Sequence, residues 1–193
     1  MKGMPSPSRG RRTLTFFTGN RGKLAEVRFR LAPLGWNVVQ GRRTLVEPQA
    51  DDLETVVRAK LDQVPRAPGL CLVEDAGLFI HALNGFPGVY SAYVLRTLGP
   101  AAVARLLPRG DRSATFRAVM GLREGVGGRP RLILGEVLGK ITSAPRGAGG
   151  FGFDPIFVPS GEHRTFAEMT PEEKDRLSHR GRALDGLVRG LRD

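Results

Sequence analysis

Two hydrophobic periods alternate along the chain. "RTLTFF" places Leu14, Phe16 and Phe17 in a short β-rich run that breaks at Thr18-Gly19-Asn20. Leu24, Val27, Leu31 and Leu34 then recur at i, i+3, i+7 and i+10, which predicts one face of a helix over about residues 21–34. "WNVVQ" at 36–40 reads as a second strand. Leu53, Val56, Val57, Leu61 and Val64 mark a second helix, opened by Asp51 and Glu54 at capping-box spacing. "GLCLVED" at 69–75 is a strand of the fully buried type that ends in two acids. Apolar helical stretches follow over roughly 91–107, and "ATFRAVMGLRE" and "RLILGEVLGKI" then flank the glycine-rich "GVGGRP" as an antiparallel hairpin. "TPEE" predicts a helix start with Thr170 as N-cap, Pro171 at N1 and Glu173 at N3. Leu177, Leu184, Leu187, Val188 and Leu191 continue that face after a restart at Ser178. This alternation predicts an α/β domain with a mixed sheet.

At 193 residues the chain suits one domain, over 13–193. The first twelve residues, "MKGMPSPSRGRR", read as a disordered basic tail without the apolar core of a secretory signal. No run approaches the roughly 20 apolar residues that span a bilayer, so no membrane partner is expected. The single cysteine, Cys71, lies in an apolar run and cannot form an internal disulfide, which suits a cytoplasmic location. A net charge of +11 invites a nucleic-acid reading. The arginines are scattered, however: only the tail and the Arg42–Arg43 pair cluster, with no aromatic-interleaved stripe, so stable nucleic-acid binding is not the expected role. Only five of the 30 basic residues are lysines, and a retained lysine points to a need for a compact ammonium.

Three segments carry candidate chemistry. The turn "TGNRGK" (18–23) joins a strand to a helix N-terminus, where free N–H groups favour an anion, although an ordinary βα turn with a surface lysine would look the same. "VEDAG" offers Glu74 and Asp75 at a strand's carboxyl end. Adjacent strand residues face opposite sides, so one of them, Asp75, is chosen; acids can also simply mark a strand end. With Glu47 in "LVEPQAD", Asp75 could hold a hard cation. "EKDRLSHRGRAL" combines Lys174 with His179 and Arg180.

Together, "FFTGNRGKLAEV", "LVEDAGLFIHALNGFPGVYSAYV", "GFGFDPIFVP" and "RTFAEMTPEEKDRLSHRGRAL" resemble the inosine triphosphate pyrophosphatase family, with spacing closest to archaeal members. The resemblance implies an α/β fold with a long central mixed sheet, flanking helices and two lobes around a nucleotide-binding cleft. It implies hydrolysis of ITP, dITP and XTP to the monophosphate and pyrophosphate, in a homodimer. By the same matching, Thr18, Gly19, Asn20, Arg21, Gly22 and Lys23 form the triphosphate loop, and Lys60, Ala76 and Lys174 contact substrate. Phe151, Gly152 and Phe153 line the purine pocket, with Phe151 stacked on the base. His179 and Arg180 donate to a 6-oxo group, and Asp154 orients them or accepts from the base. Glu47 and Asp75 hold Mg²⁺, with Mn²⁺ as an alternative, and Asp75 accepts the proton of the attacking water. Ala76 stands where many members have Ser, Ala50 where Gly is common, and Phe153 where Tyr or Trp is common. Rival readings are a Maf-type nucleotide pyrophosphatase and a catalytically inactive, basic nucleic-acid-binding relative. The "SHR" block and the Phe151 loop argue against the first, and Lys23, Glu47, Asp75 and Lys174 against the second.

Overall fold

The computed structural model describes residues 12–191. The tail expected over 1–12 lies outside them except for Arg12, which opens the first strand. β1 (Arg12–Phe17) passes through the turn at 18–20 into α1 (Arg21–Leu31), and β2 (Trp36–Gly41) returns parallel to β1. α2 (Leu53–Gln63) leads to β3 (Leu70–Ile80), which pairs in parallel with β1 on its other side. The short β4 (Pro87–Gly88), α3 (Ser91–Thr97) and α4 (Gly99–Leu106) follow. The long hairpin of β5 (Ser113–Glu124) and β6 (Arg131–Ile141) extends the sheet antiparallel to β3, and β7 (Phe157–Pro159) ends it in the order β2-β1-β3-β5-β6-β7. α5 (Pro171–Leu177) and α6 (His179–Gly190) complete the described chain.

Two predicted boundaries move for local reasons. Leu24, Val27 and Leu31 are buried as the periodicity requires, but α1 ends at Leu31 and Leu34 sits 43% exposed in a 3₁₀ turn. Pro33 has no N–H with which to continue the α-helical ladder. The cap of α2 is Asp52, not Asp51: its carboxylate accepts the Thr55 N–H at 2.7 Å and the Thr55 hydroxyl at 3.0 Å. The Thr170–Glu173 capping box and the restart at Ser178 form as the sequence predicts.

Three apolar clusters hold the fold. Leu14, Phe16 and Leu72 pack beneath Leu24 and Val27 of α1 and Leu184 and Leu187 of α6. On the opposite face, Cys71 and Val73 meet Val57 and Leu61 of α2. The distal halves of β3 and β5, through Leu78, Ile80 and Phe116, form a third core with Val94, Val103, Phe157 and Phe166. β3 crosses from the first two clusters to the third, so it does not stop at the acids as the sequence suggested. One edge of β3 is covered throughout by β5. The other meets β1 only at Leu70–Leu72 and β4 only at Leu78–Phe79. From Val73 to Gly77 that edge has no neighbouring strand among the described residues, and the cleft opens there.

Candidate active site

A cavity of about 660 Å³ lies over this free edge of β3. Glu74 and Asp75 both line it although they point to opposite sheet faces, because a gap in the sheet is reached from both sides. Thr18, Gly19, Asn20, Lys23, Glu47, Lys60, Ala76, Phe151, Gly152, Phe153, Asp154, His179 and Arg180 also line it. Of the residues expected at the site, Arg21, Gly22 and Lys174 are not on the wall.

The turn after β1 is held from within. Asn20 N–H donates to Thr18 Oγ1 (3.1 Å), Asn20 Oδ1 accepts from Lys23 N–H (3.0 Å), and Gln40 Nε2 donates to the Thr18 carbonyl (2.8 Å). The side-chain oxygens of Thr18 and Asn20 thus shape the loop. What remains for an anion is the amino end of α1 and the Lys23 ammonium. Burial pulls the Lys23 pKa down, with Glu74 and Asp75 opposing. Gly22 serves a neighbour: a Cβ there would lie 2.5–2.8 Å from ring carbons of Phe151, so the glycine lets the ring rest on the first turn of α1.

Lys60 comes from the buried face of α2 and is coordinated three times. Its Nζ lies 2.7 Å from Glu47 Oε1 and 2.8 Å from Asp75 Oδ1, and donates to the Glu74 carbonyl on the free strand edge at 3.1 Å. Burial pushes the Asp75 carboxyl above its ordinary pKa, against the pull of Lys23 and Lys60. Among the described residues no three His, Cys, Asp or Glu side chains converge as a metal cluster. Two carboxylates do converge, on the ammonium of Lys60. Such hard oxygen donors suit Mg²⁺, which is commonly held by one or two carboxylates with phosphates and water.

An ion network lies beneath Phe151. Lys174 Nζ sits 4.5 Å from the ring centroid, 2.5 Å from Asp154 Oδ2 and 2.7 Å from Glu26 Oε1. Asp154 also accepts the Phe151 N–H at 2.7 Å, which pins the aromatic loop over the lysine. Asp154 therefore orients Lys174, not His179 or Arg180 as expected. Arg180 is likewise committed inward: Nε and Nη2 donate to Glu74 at 2.8–3.1 Å and Nη1 donates to Glu26 at 2.5 Å. Its guanidinium lies 5.4 Å from the Phe151 centroid, and each of its three nitrogens donates to Glu74 or Glu26. Burial would raise Glu74, but Arg180 and Lys23 outweigh it and hold the carboxylate below its usual range.

His179 is stacked on Phe116, with centroids 4.6 Å apart and planes 9° from parallel. Its Nδ1 is buried without a hydrogen-bond partner among the described residues. Burial, aided by Arg180 and Lys174, pulls its pKa well below the ordinary value, so the ring is neutral. Phe153 is only 3% exposed and belongs to the third core while one side meets the cavity.

Sequence reasoning missed Glu26 and set Glu74 aside. Glu26 stands three residues after Lys23 on α1 and reaches the two cations contributed by α5 and α6. An acid at that spacing, beside the buried Val27, was the available signal. Glu74 was passed over because of strand alternation, which holds; the gap in the sheet was not visible in sequence.

Residues 14–190 match the Ham1 family. A dITP/XTP pyrophosphatase of Thermococcus kodakarensis is 47% identical over 182 residues, covering 93% of this chain and 97% of that protein. One of Methanopyrus kandleri is 46% identical, covering 88% and 91%. Among solved structures, a HAM1 protein from Coxiella burnetii superposes with a TM-score of 0.74 at 31% identity, covering 93% of this chain and 98% of that one. A nucleoside-triphosphatase, dITP/XTP pyrophosphatase, from Mycobacterium abscessus gives 0.66 at 35% identity, covering 91% and 98%.

Proposed function

The chain belongs to the Ham1 family, and from that membership we propose that it hydrolyses the non-standard purine nucleoside triphosphates ITP, dITP and XTP to the monophosphate and pyrophosphate. The observation that carries this reading is the single cavity joining an anion-binding helix end, a buried aspartate and a lysine-backed aromatic ring. These groups suit a polyphosphate, a scissile bond and a base.

In this reading Phe151 stacks on the purine, an attraction of about 1–3 kcal/mol that is indifferent to base identity. Discrimination falls to hydrogen bonding. A neutral His179 can donate one N–H to a 6-oxo acceptor, whereas the 6-amino group of adenine is itself a donor and leaves that pairing unmade. Asp75 accepts a proton from water as the water oxygen bonds to the α-phosphorus and the bond to the pyrophosphate oxygen breaks. The upward push of burial on its pKa supports the role, with Lys60 acting against it. Lys23 and the amino end of α1 offset charge on the departing pyrophosphate. Glu47 and Asp75 would hold Mg²⁺ or Mn²⁺, which when bound supplies further charge neutralisation on phosphate oxygens.

The protein is proposed to act in the cytoplasm as a homodimer. The buried, unpaired Cys71 supports the first, and exposed aromatic side chains at Phe86, Tyr90 and Tyr93 support the second. No described helix is long and apolar enough to cross a membrane. Incubation with ITP and Mg²⁺ is expected to release IMP and pyrophosphate in equal amounts and to stop on adding a chelator. Release of IDP and orthophosphate would refute the assignment.

A further inference from the structure

Most of the positive charge on the cleft wall is already spent. Lys60 is held by Glu47 and Asp75, Arg180 by Glu74 and Glu26, and Lys23 stands 3.7 Å from Glu74. With Asp154, the wall carries four carboxylates against these three cations, a net negative lining for a ligand that is itself a polyanion. Among the described residues only two further cations line it, Arg42 and Arg43, and neither forms an ion pair or donates a side-chain hydrogen bond there. They turn the wall from net negative to net positive.

Their place in the fold sets them beside the anion loop. β1 and β2 run in parallel with Phe17 opposite Gly41, so Arg42 leaves the end of β2 just as Thr18 leaves the end of β1. Gln40 ties the two ends together by donating to the Thr18 carbonyl. Gly41 permits the close approach, since the Phe17 ring fills the space a Cβ would take. The two arginines therefore flank the anion loop, on the same connecting segment as Glu47.

We infer that Arg42 and Arg43 form the subsite for the outermost phosphates, gripping the β,γ-pyrophosphate unit of the substrate and the pyrophosphate product. This rests on the proposed triphosphate reading and adds to it a reason for preferring triphosphates: a nucleoside monophosphate does not reach these guanidinium groups. Planar forks with several donors fit a diphosphate better than the compact ammonium groups elsewhere on the wall.

The test is calorimetric titration of inorganic pyrophosphate and, separately, of IMP into the wild-type protein and Arg42→Gln/Arg43→Gln. The expected result is pyrophosphate binding weakened at least tenfold with IMP binding changed less than twofold. The gap between the two proteins should narrow between low and high salt, because exposed charges are screened. In parallel, KM for ITP should rise about tenfold in the double variant, with Arg42→Lys/Arg43→Lys intermediate. Unchanged pyrophosphate affinity, or no pyrophosphate binding by the wild type at millimolar concentration, overturns the inference. A wild-type protein that binds pyrophosphate through these arginines yet hydrolyses no ITP would leave the subsite standing and refute the function proposed above.

Discussion

The ammonium of Lys60 lies 2.8 Å from the Asp75 carboxylate and, through its second contact with Glu47, takes the point where the two acids converge. Its three N–H donors meet three oxygen acceptors, so the arrangement is complete without a metal. A divalent ion held by the same acids has to displace it. Lys60→Met should therefore bind Mn²⁺ about tenfold more tightly than wild type in the absence of nucleotide, on the scale of one charge-assisted hydrogen bond. Electron paramagnetic resonance titration of free Mn²⁺ measures this, and equal affinities would show that Lys60 and metal do not compete.

Gly22 and Phe151 form a second coupled pair. Phe151→Ala should raise KM for ITP by roughly 5- to 150-fold, the range that stacking energies of about 1–3 kcal/mol give. Gly22→Ala should produce part of that loss by pushing the ring off α1, and should add little in the Phe151→Ala background. Additive effects in steady-state kinetics would separate the two positions.

The Glu74–Arg180 pair is buried on both sides. Glu74→Gln leaves the guanidinium with Glu26 alone and should cost about 3–5 kcal/mol of unfolding free energy. Glu74→Leu combined with Arg180→Met should recover most of it, since it removes both charges. Urea denaturation distinguishes these outcomes, and a single variant as stable as wild type would mean that the pair is not solvent-excluded.

His179 carries a pH dependence whose sign is fixed. Its folded-state pKa lies well below the ordinary histidine value of 6.5, so below pH 6.5 the unfolded chain binds the proton that the folded chain refuses. Stability contributed by the neutral ring is present above pH 6.5 and falls by about 1.4 kcal/mol per pH unit as the solution is acidified below it. His179→Phe should flatten the denaturation midpoint between pH 6.5 and 5.5. An unchanged slope would place the proton elsewhere.

Much of the scaffold was legible because it is local. The periodicity of α1, the Thr170 cap and the β5–β6 hairpin depend on neighbours in sequence; the last two appear where the pattern put them, and α1 buries Leu24, Val27 and Leu31 but stops one turn short of Leu34. The residues of the candidate site were legible as types, through the glycine turn, the acid pair and the "SHR" block. Their partners were not. That Arg180 donates to Glu74 and Glu26, that Asp154 holds Lys174, and that Gly22 yields its space to Phe151 all depend on contacts between separate elements, most of them more than 100 residues apart. Strand alternation correctly separated Glu74 from Asp75, and only the uncovered stretch of β3 brings both to one cavity.

The most direct measurement is the ratio of kcat/KM for ITP to that for ATP, obtained from pyrophosphate release by the purified protein with Mg²⁺. A pocket that stacks any purine but offers a hydrogen-bond donor at position 6 predicts a ratio on the order of 100 or more. It should fall in His179→Ala, while Asp75→Asn should abolish turnover of both nucleotides. A wild-type ratio near one, or full turnover by Asp75→Asn, would contradict the account.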